Sequence, residues 1–156
     1  MAKLSAGMLL FRRGSCGLEV FLVHPGGPFW AKKDLGAWSL PKGEYDGSED
    51  PLRAAVREFE EETGFRLDAD HAVPLRELKQ PGGKVVTAWA LEKDVDAALV
   101  RSNTFEMEWP PKSGRRQAFP EVDRAEWFPL ADAREKLLKG QVDFLTRLVD
   151  ALTASS

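Results

Sequence analysis

Four glutamates occupy five consecutive positions of the chain, and three of them have a spacing that brings them together. Glu58, Glu61 and Glu62 follow one another at i, i+3 and i+4, so on an α-helix, at about 100° per residue, they lie along one flank. With Glu60 added, like charges repel one another. Near the end of a helix the helix dipole also disfavours each negative charge by roughly 0.3–1 kcal/mol. Stability alone therefore does not favour this arrangement.

Two interpretations of the cluster are open at this point. Glutamate is a good helix former, and an acidic run commonly marks a solvated helix face. Alternatively, the carboxylates hold a hard divalent cation, because Mg²⁺ prefers oxygen ligands and binds through a few carboxylates together with substrate phosphates. Such a cation would neutralise the repulsion, bridge phosphate oxygens and lower the pKa of a bound water toward neutrality.

The segment that carries the glutamates has the signals of a helix over 51–63. Asp50 is a good N-cap, Pro51 suits the first helical position, and Gly64 stands where a helix commonly ends in a left-handed residue. One face of this helix is apolar at i, i+3, i+4 and i+7, so it must pack on a sheet or another helix. The apolar side chains are Leu52, Ala55, Val56 and Phe59.

The rest of the chain predicts strands on both sides of this helix and two further helices. Strands are predicted at 2–11, 18–24, 84–92, 103–109 and 125–128, and helices at 131–139 and 142–153. Loops are predicted where glycine and proline cluster or polar residues dominate, at 25–35 and 110–120. This mixture predicts an α/β or α+β fold whose sheet is covered on both faces.

Length and composition limit the class of protein. The 156 residues fit a single domain over 1–156, and the 43% hydrophobic and 30% charged content is typical of globular proteins. No stretch approaches the roughly 18 apolar residues of a membrane span, and no signal segment is recognisable, so we expect a cytoplasmic protein. The net charge of −3 argues against binding extended nucleic acid. The single Cys16 predicts neither a disulfide nor a zinc site.

The glutamate segment resembles the Nudix box, the signature of a family of hydrolases. Seven identities and two apolar positions match over the 23 residues Gly43–Phe65, a coincidence of roughly 10⁻⁷ at average residue usage. The surrounding order of elements is similar to the Nudix fold, an α/β/α sandwich with a mixed β-sheet. The matching residues are Gly43, Glu49, Arg57-Glu58-Phe59, Glu61-Glu62 and Gly64-Phe65.

The resemblance implies a role for each charged residue of the box. Glu58, Glu61 and Glu62 are implied to bind metal, and one of them or a more distant glutamate is implied to assist the attacking water. Arg57 would orient Glu58 or Glu61. Glu49 would brace the loop before the helix. The implied cofactor is Mg²⁺, with Mn²⁺ as an alternative.

Two ligands outside the helix are also implied by the resemblance. The backbone carbonyl of Lys42 matches a metal ligand often seen in the family, and the Lys42 side chain is placed to touch a phosphate. A further acidic ligand usually comes from a loop after the box, where we choose Glu121, five residues before Glu126. The alternatives are Asp123, Glu106 and Glu108.

The implied reaction is cleavage of a phosphoanhydride bond in a nucleoside diphosphate linked to another group. The Pro-Lys-Gly at 41–43 and the Glu-Trp-Phe at 126–128 resemble the sequences of family members that cleave dinucleoside polyphosphates. We predict a substrate of this class or a (d)NTP. Those members place a tyrosine some 17 residues beyond the box, whereas the one tyrosine here is Tyr45. Pro81, sixteen residues after Phe65, resembles ADP-ribose hydrolases, so ADP-ribose or a nucleotide sugar is the alternative.

Aromatic and basic residues elsewhere are candidates for substrate binding. Trp30 is a candidate for stacking on a base, although a packed aromatic is the more common outcome. His24 is a candidate donor to phosphate or base. Arg115 and Arg116 are candidates to hold a small anion, or are simply two solvated loop arginines. Other stacking candidates are Phe29, Phe105 and Trp109.

The predicted partner is a small nucleotide, bound by a monomer or homodimer that does not associate with membranes. A hypothesis of another class is a Nudix-fold sensor that binds nucleotide or RNA without turnover. The intact box favours the enzyme, because a protein that no longer catalyses is free to lose its carboxylates.

Overall fold

The computed structural model describes residues 3–15 and 17–154. Cys16 lies outside the described residues, as does the start of the strand predicted at 2–11. No helix in the described ranges is long and apolar enough to cross a membrane.

A mixed sheet forms the centre of the described molecule. Its strands are β1 (Leu4–Gly14), β2 (Gly17–Pro25), β3 (Lys42–Glu44), β4 (Val73–Lys79), β5 (Val85–Glu92) and β8 (Val122–Pro129). They run in the order β4-β5-β1-β2-β8, with β3 paired to β1. Two further strands, β6 (Thr104–Glu108) and β7 (Arg116–Pro120), form a separate antiparallel hairpin.

Helices cover both faces of this sheet. Strand β1 pairs in parallel with β5 and antiparallel with β2, and its near-continuous apolar run reflects burial on both sides. Alternate residues point to opposite faces: Met8 and Leu10 pack with α1 (Pro51–Thr63), whereas Leu9 and Phe11 pack with α2 (Leu130–Lys136) and α3 (Asp143–Ala154). The predicted α/β/α sandwich of the α+β class is confirmed.

Helix α1 begins and ends at the predicted residues. The Asp50 side chain accepts a hydrogen bond from the Arg53 backbone N–H, and Gly64 adopts the left-handed conformation with φ 84°. Buried Ala54, Ala55 and Phe59 pack on the sheet. The helix therefore holds the charged flank beside this apolar face in a fixed direction.

Two predicted elements were wrong in part, and one strand was missed. The segment 110–120 is not all loop, because β7 pairs there with β6 despite its polar, exposed sequence. No strand was predicted at β4, whose alternation is interrupted by Pro74 and by a register shift between Pro74 and Arg76. The helix predicted over 131–139 ends at Lys136, because Leu137 turns to an extended conformation and bridges Trp38.

Candidate active site

The glutamate flank of α1 lies directly over strand β3. Gly43 pairs with Ala6 of β1, and a Cβ atom on Gly43 would overlap the carboxylate of Glu58. A side chain at position 43 would therefore push Glu58 away, so glycine is required here for close approach to the backbone. The glycine that opens the box thus has a packing role.

Arg57 connects three carboxylates of the box. Its Nε and Nη2 donate to the two oxygens of Glu49 (3.0 and 2.8 Å), and its Nη1 donates to Glu58 Oε1 (2.7 Å) and to Glu61 Oε2 (3.3 Å). The hydrogen bond from Arg57 lowers the pKa of Glu49. A planar guanidinium suits such a fork, because its donors match a carboxylate bidentately. The loop before the helix and the helix flank are thereby fixed to one another.

Glu62 is the most desolvated carboxylate of the flank. Burial raises its pKa to about 8, although the Lys42 backbone N–H donates to Glu62 Oε2 (2.7 Å) and the Lys42 ammonium favours the charged form. Burial in turn lowers the pKa of Lys42. The charges of Glu58 and Glu121 raise the pKa of Glu62 further. Perturbed carboxyl groups that gather in one place are typical of functional sites.

Glu121 is connected to the Glu61 end of this flank through Asn103. The Glu121 backbone N–H donates to the carbonyl of Asn103 (2.8 Å), and the Asn103 N–H donates to the carbonyl of Glu61 (3.0 Å). Partial desolvation and the charge of Glu61 raise the pKa of Glu121. The pKa of Glu58 is also raised, first by desolvation. The structure therefore brings Glu121 into the electrostatic range of the box.

The three alternatives to Glu121 are engaged elsewhere. Asp123 contacts the His24 ring. Glu108 accepts backbone hydrogen bonds from Lys112 and Gly114 within the β6–β7 hairpin. Glu106 lies 3.8 Å from Arg116 in the same hairpin. Each of these carboxylates therefore has a partner outside the glutamate flank.

The donor set at the flank fits a hard divalent cation. Carboxylate and carbonyl oxygens are the ligands that Mg²⁺ and Mn²⁺ prefer. Among the described residues no three acidic, histidine or cysteine side chains are arranged to enclose an ion. The carboxylates of the flank accept hydrogen bonds from protein groups in this structure. Arg57 donates to Glu58 and Glu61. The Lys42 backbone N–H donates to Glu62. Reorientation of these side chains would therefore accompany metal binding.

His24, the sequence-based candidate donor to phosphate or base, lies in the interior of the protein. The side chain is fully buried, Nδ1 lies 2.8 Å from Asp123 Oδ1, and Nε2 lies 2.6 Å from the carbonyl oxygen of Lys33. Both ring nitrogens are therefore used inside the protein. No local motif signals this contact, because Asp123 lies 99 residues away in the sequence.

The remaining substrate-binding candidates fall on two neighbouring segments, the loop 26–36 and the β6–β7 hairpin. Phe29 is 60% exposed and meets the Trp109 ring edge-on at 5.6 Å. Trp30 is half-buried, with the Lys33 ammonium 4.9 Å from its ring centroid. We call the exposed face formed by both segments the hairpin surface. Its members are Phe29, Phe105, Trp109, Arg115, Arg116 and Phe119.

The hairpin surface is attached at the Glu121 end of the site. The Gly26 N–H donates to the Glu121 carbonyl (2.9 Å), and a Cβ on Gly26 would overlap the carbonyl of Pro120. A Cβ on Gly27 would press against the Phe105 ring. The sequence marked these glycines only as loop residues. Their close approach to the hairpin is a tertiary contact that no local pattern reveals.

A family model described as "NUDIX domain" matches residues 1–148. An octanoyltransferase of Myxococcus xanthus is 35% identical over 102 residues, which are 65% of this chain and 25% of that protein. An RNA pyrophosphohydrolase of Erythrobacter litoralis is 53% identical over 36 residues, 23% of this chain and 22% of that protein. The chain thus matches only about a quarter of the length of either relative.

Solved structures resemble the fold over nearly the whole chain. A C. elegans Ap4A hydrolase binary complex has a TM-score of 0.64 at 22% identity, covering 98% of this chain and 99% of that one. The NUDIX domain of Shewanella oneidensis NrtR complexed with ADP ribose has a TM-score of 0.66 at 19% identity, covering 97% and 89%. At these identities the likeness shows the fold.

Proposed function

Since the chain belongs to the Nudix family, we propose that it is a magnesium-dependent hydrolase of a phosphoanhydride bond in a nucleoside diphosphate linked to another group. The observation that carries this proposal is the convergence of Glu58, Glu61 and Glu62 with Glu121 at one end of α1. Nudix hydrolases generally use a divalent metal, and the carboxylates of this flank together with Glu121 offer the oxygen atoms that Mg²⁺ prefers as ligands.

In this proposal the four glutamates and the Lys42 carbonyl hold the cation. A bound Mg²⁺ or Mn²⁺ supplies charge neutralisation on the phosphates and a more acidic water. Arg57 keeps Glu58 and Glu61 on the same side of the helix, since one guanidinium donates to both. The Lys42 ammonium, desolvated beside Glu62, is positioned to pair with a phosphate.

The protein's task in the reaction is to orient water and accept its proton. The water oxygen bonds to phosphorus, the bridging P–O bond breaks, and its electron pair leaves with the second phosphate. The proton passes to a glutamate carboxylate. We propose that one of the flank glutamates or Glu121 accepts this proton, because a carboxylate within hydrogen-bond reach of the water acts as its general base.

For the substrate we propose a dinucleoside polyphosphate or a (d)NTP. The hairpin surface supports this proposal, because the exposed Phe29 ring and the half-buried Trp109 ring offer stacking faces for bases. Arg115 and Arg116 are exposed and offer charge for a phosphate chain. The likeness to the C. elegans Ap4A hydrolase is in keeping with it.

ADP-ribose or a nucleotide sugar is the second candidate, which the likeness to the ADP-ribose complex favours. Pro81, the proline that suggested ADP-ribose hydrolases, lies in the turn between β4 and β5. In this turn the Gln80 backbone carbonyl accepts a hydrogen bond from the Gly83 N–H. A turn of this kind accounts for Pro81 without any substrate.

A substrate panel tests the proposal. The protein is incubated with Mg²⁺ and dinucleoside polyphosphates, nucleoside triphosphates, ADP-ribose and nucleotide sugars, and the phosphate-containing products are separated. We expect Mg²⁺-dependent turnover, highest for a dinucleoside polyphosphate or a (d)NTP. Tight binding without turnover across the panel would establish the nucleotide sensor instead.

A further inference from the structure

His24 stands where the loop 26–36 leaves the sheet. It is the penultimate residue of β2, its side chain has no exposed surface, and its ring meets the Trp38 ring edge-on at 5.1 Å. Polar groups buried so completely are costly unless hydrogen-bonded. Both ring nitrogens are bonded here, to partners on two different segments.

The two contacts join His24 to two different segments of the chain. Nδ1 lies 2.8 Å from the Asp123 carboxylate and Nε2 lies 2.6 Å from the Lys33 carbonyl. Both partners are acceptors, and the tautomer of the ring decides which nitrogen donates. A single imidazole ring therefore lies between the start of β8 and the loop 26–36.

Each contact leads to a different part of the proposed site. Asp123 lies two residues after Glu121 on the segment that enters β8, where Gly26 donates to the Glu121 carbonyl. Lys33 lies in the loop that carries Phe29 and Trp30, and its N–H donates to the Trp30 carbonyl (3.0 Å).

We propose that His24 is a positioning residue that fixes the Glu121 segment and the loop 26–36 relative to one another. Through Asp123 it holds the backbone that presents Glu121. Through the Lys33 carbonyl it holds the loop that presents the aromatic side chains of the hairpin surface. This inference rests on the proposed function, and it assigns His24 a role in both metal-site geometry and substrate affinity.

Substitutions at two positions separate these roles. His24→Phe keeps a ring against Trp38 but removes both ring nitrogens. Asp123→Ala removes only the contact between His24 and the segment that carries Glu121. Asp123→Asn retains an acceptor oxygen for the same contact. His71→Asn is the matched control, because His71 is an exposed histidine with φ 72°, a conformation that asparagine tolerates.

The variants are compared by kcat, KM and Mn²⁺ affinity, the last by calorimetry without substrate. Residues that orient ligands indirectly typically change affinity or activity by about 10–100-fold. We expect His24→Phe to lower kcat and raise KM, each about tenfold. Asp123→Ala should lower kcat and Mn²⁺ affinity with little change in KM. Asp123→Asn should lie closer to the wild type, and His71→Asn should be unchanged.

The outcomes are distinguishable. If His24→Phe and Asp123→Ala melt earlier but keep kcat, KM and Mn²⁺ affinity within about twofold of the wild type, His24 is only structural and the inference is wrong. If His24→Phe does not fold, the Asp123→Ala and Asp123→Asn pair decides by the same criteria. A wild type without turnover contradicts the proposed function, while the Mn²⁺ titration still tests the link from His24 to Glu121.

Discussion

The glutamate flank of α1 and the hairpin surface are held in place by different kinds of contact. On the flank, Glu58 is only 13% exposed and one hydrogen bond of 2.7 Å joins its carboxylate to Arg57. On the hairpin surface, Phe29 is 60% exposed and meets Trp109 through a single ring edge. The first region is held by charge-assisted hydrogen bonds between partly buried side chains. The second has the exposure and tolerance to change of a specificity element.

The strongest test of this contrast is removal of charge on the flank. Glu61→Gln and Glu62→Gln should each lower kcat by about 10³-fold or more, because proton transfer and metal ligation are lost together. Folding should be intact or slightly improved, since like-charge repulsion is relieved. Steady-state kinetics and circular dichroism measure both effects.

Glu60→Gln is the matched control for these two variants. Glu60 belongs to the same acidic run but pairs with the exposed Arg66, so its activity should stay within about twofold of the wild type. Equal losses for all three variants would favour a general charge effect. Loss of fold in both flank variants would indicate a structural salt-bridge role.

Arg57→Lys should reduce kcat by about 10–100-fold, because a single ammonium cannot hold Glu49 bidentately and also reach Glu58 and Glu61. The control is Arg53→Lys one turn earlier on α1, where the side chain is exposed. Kinetics at saturating Mg²⁺ compare the two. Equal activity of both variants would mean that the guanidinium fork is dispensable.

Changes on the hairpin surface should act on binding and not on chemistry. Trp109→Ala and Phe29→Ala should raise KM by about tenfold, since base stacking on an aromatic contributes roughly 1–3 kcal/mol, while kcat stays within about twofold. Leu35→Ala is the control, because Leu35 is 68% exposed in the same loop as Phe29. A loss of kcat with unchanged KM would abolish the distinction between the two regions.

The last prediction concerns the pH dependence of stability without metal. Burial raises the pKa of Glu62 to about 8, so between the usual glutamate pKa near 4.3 and pH 8 the folded chain binds a proton that the unfolded chain has lost. Stability should therefore fall as pH rises through this window, by at most about 1.4 kcal/mol per pH unit.

Thermal melts between pH 5 and 8.5 measure this slope, with each kcal/mol corresponding to roughly 2–4 °C for a chain of this size. Glu62→Gln, which does not titrate, should reduce the slope. A wild-type melting temperature that rises steadily across the same window, with no difference from Glu62→Gln, would contradict the buried state of the carboxyl.

The same contrast explains what could be predicted from the sequence. Helix α1 and its charged flank depend on local signals, so Asp50, Gly64 and the glutamate spacing were sufficient. The hairpin surface depends on contacts between distant segments. Strand β7 is polar and exposed and was predicted as loop. The contact between His24 and Asp123 could not be predicted, because the two residues lie 99 positions apart in the sequence.

Glu121 falls between these two cases. Its spacing from Glu126 suggested the residue, but only the hydrogen bonds from Glu121 to Asn103 and from Asn103 to Glu61 show how it reaches the flank. Backbone contacts of this kind leave no residue-type pattern, since any amino acid except proline donates the same N–H.

Direct measurement of Mn²⁺ binding tests the central claim, that the glutamate flank is a divalent-metal site. Electron paramagnetic resonance titration compares the wild type, the Glu61→Gln/Glu62→Gln variant and a Glu106→Gln/Glu108→Gln control that removes two acids from the hairpin. We predict that the wild type and the control bind Mn²⁺ alike and that the flank variant loses this binding. Equal Mn²⁺ affinity in the flank variant and the wild type would contradict the account.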